Sequence, residues 1–320
     1  MAVKILCIAG PTASGKTSRS IEEALTRNGE IISVDSRQVY RGLNIGTEKV
    51  TPEEMRGVPH HLIDIREPED AYSAGAFVSD ATQLIESITA RGKLPILAGG
   101  SHFYFDALLR ELPSGVDADP ALREELEQFS SEELYKRVSS ADALRAAQLD
   151  PRNRRRLIRA LEIIHSLGTV PPRPANKPLF ETRVNLVEND LADTTCRQQL
   201  PTRSVGTKYE VEWIVIDRPR EELRARIDTR LVETLERGLL DEVRHVRERV
   251  GDTRLNEFGL EYRIVGEYLR GERTEESLLP TLSSKLWHYA RSQKAWLRKL
   301  ESERMFASPI AAVPSRPGKN

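Results

Sequence analysis

The amino-acid sequence predicts an α/β fold, in which a parallel sheet is flanked by helices and carries a helical insertion. Three short apolar runs, at 4–9, 30–34 and 94–98, are each followed by small or polar residues and then by a helix-like segment. This alternation is typical of parallel strands joined by crossover helices. The runs are continuous rather than alternating, as expected of strands buried on both faces of a sheet. A further run at 213–216 is expected to return to the same sheet.

The middle and the end of the chain have helical patterns. From 119 to about 167 the sequence is rich in Ala, Leu, Glu and Arg, which predicts an inserted helical subdomain. After 217 an apolar residue recurs every four positions from 223 to 235, and Gly238 offers a stop or kink, as in an amphipathic helix. The stretch 278–300 repeats this pattern. Between 166 and 212 no periodicity is visible, so the sequence does not predict the structure of this connection.

These patterns divide the chain into five parts. They are the first part of a core (1–117), a helical insertion (118–168), an irregular connection (169–211), the second, helical part of the core (212–305) and a flexible tail (306–320).

The composition is that of a globular protein that folds in water. Of 320 residues, 39% are hydrophobic and 30% are charged, and no apolar run approaches the length of about 20 residues that crosses a bilayer. Cys7 and Cys196 lie far apart and have no partner at metal-ligand or redox-motif spacing. We therefore expect a cytoplasmic, reduced protein that does not contact membranes, and we expect it to be a monomer.

Positive charge is concentrated locally although the formal net charge is only −1. Five arginines fall within 152–159, and further Lys and Arg residues punctuate 285–299. On a helix, Arg152, Arg155, Arg156 and Arg159 would form one stripe, because they recur at three- and four-residue intervals. Such a stripe is either a solvated face or a surface for RNA, since a neutral total can hide a basic groove.

A phosphate-binding loop follows the first predicted strand. Gly10-Pro11-Thr12-Ala13-Ser14-Gly15-Lys16-Thr17 matches the pattern G-x-x-x-x-G-K-[ST] between a strand and a helix. Its backbone amides and Lys16 would hold a diphosphate or triphosphate, and the Thr17 hydroxyl would hold Mg²⁺. The loop predicts a P-loop kinase-like sheet, but kinases, ATPases and several transferases share it.

Asp35 directly follows the second predicted strand. This places a carboxylate at the carboxyl end of a strand beside the phosphate loop, where open α/β sheets form their ligand crevice. Asp35 is therefore a candidate base or metal partner, and its ordinary alternative role is to cap the next helix.

The two motifs together resemble tRNA dimethylallyltransferases, the IPP transferase family. The phosphate loop is followed by Asp35-Ser36-Arg37-Gln38-Val39-Tyr40-Arg41-Gly42-Leu43-Asn44-Ile45-Gly46-Thr47, a far more specific block. Further matches follow in order at 58–64, 72–74, 99–101, 156–162, 262–263 and 293–298. The resemblance covers about 1–165 and 213–300.

The resemblance implies a reaction and a set of functional residues. The phosphate loop and Mg²⁺ would hold dimethylallyl diphosphate, and an adenine from the tRNA anticodon arm would be extruded into the same cleft and alkylated at N6. Asp35 would accept the N6 proton, while Lys16, Thr17 and Arg226 would stabilise charge on the leaving diphosphate. The residues expected to contact tRNA are Asp35, Ser36, Arg37, Gln38, Ser101, Arg123, Arg155, Arg156, Arg159, Tyr262 and Arg263. The insertion would then form one wall of the tRNA groove.

The chain departs from the family pattern at three places. Ser101-His102 replaces the usual Thr-Gly or Thr-Met, Arg19 replaces a core leucine, and Glu261 replaces a glycine before Tyr262. Ser101 keeps the hydroxyl, whereas Glu261 alters the turn at 258–263.

Three other functions are consistent with the phosphate loop. A small-molecule kinase would use it for ATP, an isopentenyltransferase for free adenosine phosphates would need no basic insertion, and a nucleotide-gated RNA-binding module would catalyse nothing. His60-His61 is not expected to be a metal pair, because adjacent residues on a strand point to opposite faces. The Trp and Tyr residues of the last helix are expected to pack in the core rather than to stack on bases.

Overall fold

The computed structural model describes residues 2–110, 116, 119–170, 196–198, 202–203 and 209–306, with only the backbone for 196–198, 202–203 and 301–306. Contacts divide the chain into two compact units, 1–111 with 178–320 and 112–177. The predicted tail at 307–320 lies outside the described residues.

The first unit is built on a sheet with five parallel strands. Their spatial order is β3-β2-β4-β1-β7, and the bounds are β1 Val3–Ala9, β2 Gly29–Val34, β3 His60–His61, β4 Leu94–Gly99 and β7 Tyr209–Ile216. Four of these strands contain the four predicted apolar runs, so the predicted parallel α/β fold is confirmed. The central strand β1 is buried from Ile5 to Ala9, as expected of a strand with helices on both faces.

Register aligns the carboxyl ends of the central strands. Gly99 at the end of β4 pairs with Ala9 of β1 on one side and with Val34 of β2 on the other. The phosphate loop after β1, Asp35 after β2 and Ser101 after β4 therefore leave the same edge of the sheet. This edge is where ligands bind in open α/β sheets.

The connection at 169–211, expected to be irregular, contributes two short strands. These are β5 Cys196–Gln198 and β6 Thr202–Arg203, and both pair antiparallel with β7. The free side of β7 offers unpaired backbone groups, and any short segment can satisfy them whatever its side chains. Strands of three and two residues are also too short to show a period in the sequence.

Helices cover both faces of the sheet. The bounds in this unit are α1 Lys16–Arg27, α2 Pro52–Met55, α3 Ala74–Ala90, α4 His102–Leu109, α9 Arg220–Glu236, α10 Leu239–Leu255, α11 Leu260–Leu269 and α12 Leu278–Phe306. Helix α3 buries Phe77, Ala81, Ile85 and Ile88, which recur at helical spacing and pack on one face of the sheet. Ile21 and Ala24 of α1 pack on the opposite face. None of the helices in the described ranges is long and apolar enough to cross a membrane.

The helices at the end of the chain form a further core. Leu223, Ile227 and Leu231 of α9 pack with residues of α10, α11 and α12, as their four-residue spacing predicts. Gly238 separates α9 from α10 at φ 98°, a left-handed conformation that favours glycine. The stop or kink predicted at Gly238 is thus a stop, since α9 ends at Glu236 and α10 begins at Leu239.

The second unit is helical. Its helices are α5 Pro120–Leu126, α6 Ser131–Ala141, α7 Ala143–Ala146 and α8 Arg154–Leu167, and they enclose their own apolar core. Asn153 caps α8, accepting from the amide of Arg156 at 3.2 Å. Arg152 therefore precedes the helix, and its inclusion in a helical stripe was wrong, because the helix begins only after the Asn153 cap.

Candidate active site

The phosphate loop turns sharply between the end of β1 and the start of α1. Ala13 and Gly15 have φ of 60° and 94°, which turns successive amides inward. A side chain at Gly10 would meet the carbonyl oxygen of Ile216 at 2.7 Å, so glycine is required where the loop leaves β1. The loop lines one side of a cavity of about 850 Å³.

Lys16 is held within this loop. Its Nζ donates to the carbonyl oxygen of Pro11 at 2.7 Å. Burial lowers the pKa of Lys16 to about 8, and the positive charge of Arg230 acts in the same direction, while Asp35 opposes them. The ammonium thus lies close to both an arginine and a carboxylate, and an anion in the cavity would favour its charged form.

Arginines from the segment after β7 surround the loop. Arg226 donates from Nε to the Ala13 carbonyl oxygen at 3.0 Å, and Arg230 donates from Nη1 to the Thr12 hydroxyl at 2.8 Å. Arg218 donates to the Ser14 carbonyl oxygen at 2.8 Å. The sequence pointed to Arg226 but not to Arg230, although Arg230 lies four residues further along the same face of α9. Both arginines line the cavity.

Asp35 lines the same cavity as Lys16, Arg226 and Arg230. Its Oδ1 accepts from the amides of Arg37 at 2.8 Å and Gln38 at 3.3 Å. This is a local turn and not the cap of a helix, since 36–39 is not helical. Oδ2 makes no hydrogen bond with any residue in the described ranges, so the carboxylate has an acceptor oxygen for a ligand.

The side chain of Gln38 forms hydrogen bonds within the protein. Its Nε2 donates to the carbonyl oxygens of Thr47 and Glu48, both at 3.2 Å, and its Oε1 accepts from Ser33 at 3.0 Å. Gln38 also lines the cavity. Its side chain thus connects β2 to the loop at 47–48.

Glu242 binds the segment 44–46, just before the residues that Gln38 contacts. The sequence did not reveal this role. Its carboxylate accepts from three successive amides, of Asn44 at 2.8 Å, Ile45 at 2.7 Å and Gly46 at 2.9 Å. Tyr262 also donates its hydroxyl to Glu242, at 2.6 Å. Glu242 therefore satisfies three backbone donors of this turn with a single side chain.

The end of β4 is held by α12. Gln293 accepts from the Thr12 amide at 2.9 Å and donates to the Gly100 carbonyl oxygen at 3.0 Å. Nearby, the Ser101 hydroxyl accepts from the amide of Ser36 at 3.2 Å. Ser36 and Ser101, both predicted to contact tRNA, thus contact each other.

Five further residues predicted to contact tRNA differ in their exposure. Arg155, Arg156 and Arg263 have exposed side chains, and Arg37 is half-buried. Tyr262 is 0% exposed and belongs to the core formed by the last helices. This placement differs from the expected surface role of Tyr262, because an aromatic ring with its hydroxyl paired to Glu242 is more stable in the core than in water.

Arg123 and Arg159 form hydrogen bonds to another residue of the second unit, Glu162. Both donate to the carboxylate of Glu162, which is only 1% exposed, at 2.7 and 2.9 Å from Arg123 and at 3.2 Å from Arg159. Burial raises the pKa of Glu162, but hydrogen bonds from Arg123, from the Asp119 amide and from Arg159 outweigh it and hold the pKa below the ordinary value. A structural role thus accounts for these two arginines.

Two of the residues that depart from the family pattern, Arg19 and Glu261, form ion pairs. Arg19 contacts Glu23 at 2.7 Å along α1. Glu261 lies 4.0 Å from Arg230, and burial raises its pKa, although the charge of Arg230 lowers it in part. Glu261 thus adds an acidic group next to Arg230, which lines the cavity.

This chain is similar to known proteins over most of its length. The family model described as IPP transferase matches residues 38–300. A tRNA dimethylallyltransferase of Thermomicrobium roseum is 38% identical over 304 residues, covering 93% of this chain and 84% of that protein. One of a Roseiflexus species is 40% identical over 305 residues, covering 93% and 91%.

Solved structures are similar as well. A tRNA isopentenylpyrophosphate transferase of Bacillus halodurans is 36% identical with a TM-score of 0.62, covering 92% of this chain and 87% of that one. A eukaryotic dimethylallyltransferase acting on tRNA is 26% identical with a TM-score of 0.71, covering 94% and 72%. Since the family model spans most of the chain and relatives align over nearly all of it, this protein belongs to the IPP transferase family.

Proposed function

We propose that this protein transfers a dimethylallyl group from dimethylallyl diphosphate to N6 of the adenosine next to the anticodon, position 37 of tRNA, and releases diphosphate. The observation that carries the proposal is one cavity lined by both the phosphate loop and Asp35. A diphosphate donor and an amine acceptor can meet there. The names of the similar proteins support tRNA as the acceptor.

The donor diphosphate would lie on the loop amides. An allylic carbon ionises readily only when negative charge on its departing diphosphate is neutralised, so positive charge at the leaving group is the main catalytic requirement. Lys16, Arg226 and Arg230 supply that charge, and all three line the cavity. Their present bonds to Pro11, Ala13 and Thr12 hold them against the loop.

Mg²⁺ is the cofactor that this site suits. Thr17 is exposed on the first turn of α1 and lines the cavity, which offers a hydroxyl oxygen to a hard cation. In the described part of the chain no cluster of three acidic, His or Cys side chains could hold a metal alone, so oxygens of the donor would complete the coordination. When bound, Mg²⁺ would neutralise charge on the diphosphate.

Asp35 would act on the acceptor. As the bond between N6 and the allylic carbon forms and the bond from that carbon to the diphosphate oxygen breaks, N6 loses a proton. The unengaged Oδ2 of Asp35 can accept it, while Oδ1 stays fixed by the two amides. The adenine must leave its stack to reach this carboxylate.

The acceptor can be tested directly. Radiolabelled dimethylallyl diphosphate would be incubated with unmodified tRNA, with the same tRNA carrying guanosine at position 37, or with free adenosine phosphate. We expect label only in the unmodified tRNA. Label in free adenosine phosphate would indicate the nucleotide-specific transferase, and stoichiometric ATP consumption would indicate a kinase instead.

We also propose that the protein acts as a monomer in the reducing cytoplasm. The phosphate loop, its arginines and Asp35 all come from one chain, so the site needs no partner subunit. Cys7 is a free thiol buried in β1, where burial raises its pKa and leaves it unreactive. Light scattering would test the mass in solution.

A further inference from the structure

The cavity contains a large aromatic side chain that has no role in the reaction as proposed above. Among its lining residues in the described ranges, Tyr289 of α12 is the sole Phe, Tyr or Trp. It lines the cavity together with Thr12 and Asp35. A flat ligand that enters the cavity thus has the large Tyr289 ring available for stacking, besides the smaller imidazole of His60.

Packing does not account for Tyr289. It is 40% exposed, whereas its neighbours Trp287 and Ala290 are 8% and 0% exposed and belong to the core of the last helices. The expectation that aromatic residues of this helix are core residues therefore holds for Trp287 but not for Tyr289. In the described part of the chain the Tyr289 ring stacks on no other aromatic ring and its hydroxyl has no hydrogen-bond partner.

The groups around this ring belong to both the phosphate loop and the Asp35 part of the cavity. Tyr289 lies one helical turn before Gln293, which holds the phosphate loop through Thr12. Burial raises the pKa of the Tyr289 hydroxyl to about 12, and the charge of Asp35 acts in the same direction. The phenol is therefore neutral at physiological pH, and the ring lines the same cavity as the carboxylate that would accept the N6 proton.

We infer that Tyr289 is the surface on which the acceptor adenine stacks while Asp35 contacts its N6 amine. The inference rests on the proposed function and adds a substrate-contacting residue to it. An adenine drawn out of the anticodon loop loses its stacking neighbours, and an aromatic face compensates for that loss. Stacking leaves the edge of the base, which carries N6, free to face Asp35.

Two variants separate stacking from other roles. Tyr289→Phe keeps the ring and loses the hydroxyl, so we expect tRNA affinity within about twofold of wild type. Tyr289→Leu keeps apolar bulk but removes the π-face, so we expect tRNA affinity to fall roughly ten- to hundredfold. Affinity for pyrophosphate should be unchanged in both variants, which shows that the phosphate loop is intact.

A fluorescent base gives a readout that a merely structural role would not change. An anticodon stem-loop with 2-aminopurine at the acceptor position would be bound to each variant, because stacking quenches this base. We expect the bound probe to be brighter with Tyr289→Leu than with wild type or Tyr289→Phe. Equal brightness and equal tRNA affinity in all three proteins would overturn the inference.

Further outcomes distinguish this inference from the proposed function. If Tyr289→Leu lowered turnover but left tRNA affinity and probe brightness unchanged, the ring would act on the developing allylic cation, and adenine stacking would be rejected. If wild type bound pyrophosphate but neither tRNA nor the stem-loop, the proposed function would fall together with the inference. If wild type modified tRNA normally while Tyr289→Leu behaved like wild type, only the inference would fall.

Discussion

Gln293 accepts a hydrogen bond from the backbone amide of Thr12 at 2.9 Å, although the two residues are 281 positions apart in the chain. The same side chain donates to the Gly100 carbonyl oxygen, and it is only 3% exposed. A side chain at Gly100 would lie 2.6 Å from Gln293 Nε2, so the glycine allows this close approach. The last helix thereby ties the phosphate loop to the neighbouring strand end.

Replacing Gln293 should weaken both the fold and the phosphate site. Gln293→Leu leaves the Thr12 amide and the Gly100 carbonyl oxygen without this partner, which we expect to cost about 1–3 kcal/mol of unfolding free energy. Denaturant unfolding would measure this cost, and a pyrophosphate titration should show weaker binding because the loop loses its anchor.

The control for this variant is Ser292→Ala on the same helix. The Ser292 hydroxyl is exposed and donates to the carbonyl oxygen of Tyr289, so its loss should change neither stability nor pyrophosphate affinity. Wild-type stability and affinity in Gln293→Leu would show that the link between α12 and the phosphate loop is dispensable.

Asp35→Asn should separate chemistry from binding. Asparagine keeps an oxygen for the amides of Arg37 and Gln38, so the turn should persist, but it cannot accept the N6 proton. We expect turnover to fall by roughly two orders of magnitude or more, with pyrophosphate affinity nearly unchanged. Single-turnover transfer to tRNA would measure the effect. Undiminished turnover would reduce Asp35 to a turn-forming residue.

The affinity for diphosphate should depend on pH through Lys16. Its pKa of about 8 means that the ammonium is charged below that pH and becomes neutral above it. A charged ammonium attracts the diphosphate, so Lys16 should contribute to affinity at neutral pH and progressively less as the pH rises above about 8.

Comparison with Lys16→Met isolates this effect from the titration of the ligand itself. We expect the ratio of wild-type to Lys16→Met pyrophosphate affinity to fall between about pH 7 and about pH 9.5. Isothermal titration at several pH values would give this ratio. A constant ratio would contradict a titrating Lys16 in this range.

Arginines of the second unit should divide into two classes. Arg156→Gln removes an exposed charge, so we expect weaker tRNA binding and a dependence of log affinity on log salt that is flatter by roughly one unit. Affinity for dimethylallyl diphosphate should not change. A salt dependence identical to that of wild type would mean that Arg156 is only a solvated residue.

Arg123→Gln is the contrasting variant. It removes two hydrogen bonds to the buried Glu162, so we expect the second unit to lose about 1–3 kcal/mol of stability. Hydrogen exchange of amides in α5 and α8 would localise the loss. If Arg123→Gln instead changed the salt dependence of tRNA binding without affecting exchange, Arg123 would contact RNA as the family resemblance implies.

Local patterns were sufficient for much of the fold. Continuous apolar runs marked β1, β2, β4 and β7, and four-residue spacing marked α9. These patterns are readable because burial of a strand or helix face repeats with the period of the backbone itself. The short strands β5 and β6 were missed, since they depend on the free edge of β7 and not on any period of their own.

By itself, the sequence determined the parallel sheet, the phosphate loop and the placement of Asp35 beside it, because parallel strands bring their carboxyl ends to one edge. Only the tertiary structure decided which polar residues face ligands and which face one another. In the folded chain Arg123 and Arg159 pair with Glu162, and Tyr262 is buried in the core. Tyr289 instead lines the cavity. An arginine or a tyrosine has the same local pattern in either setting, and its role depends on which distant group satisfies it.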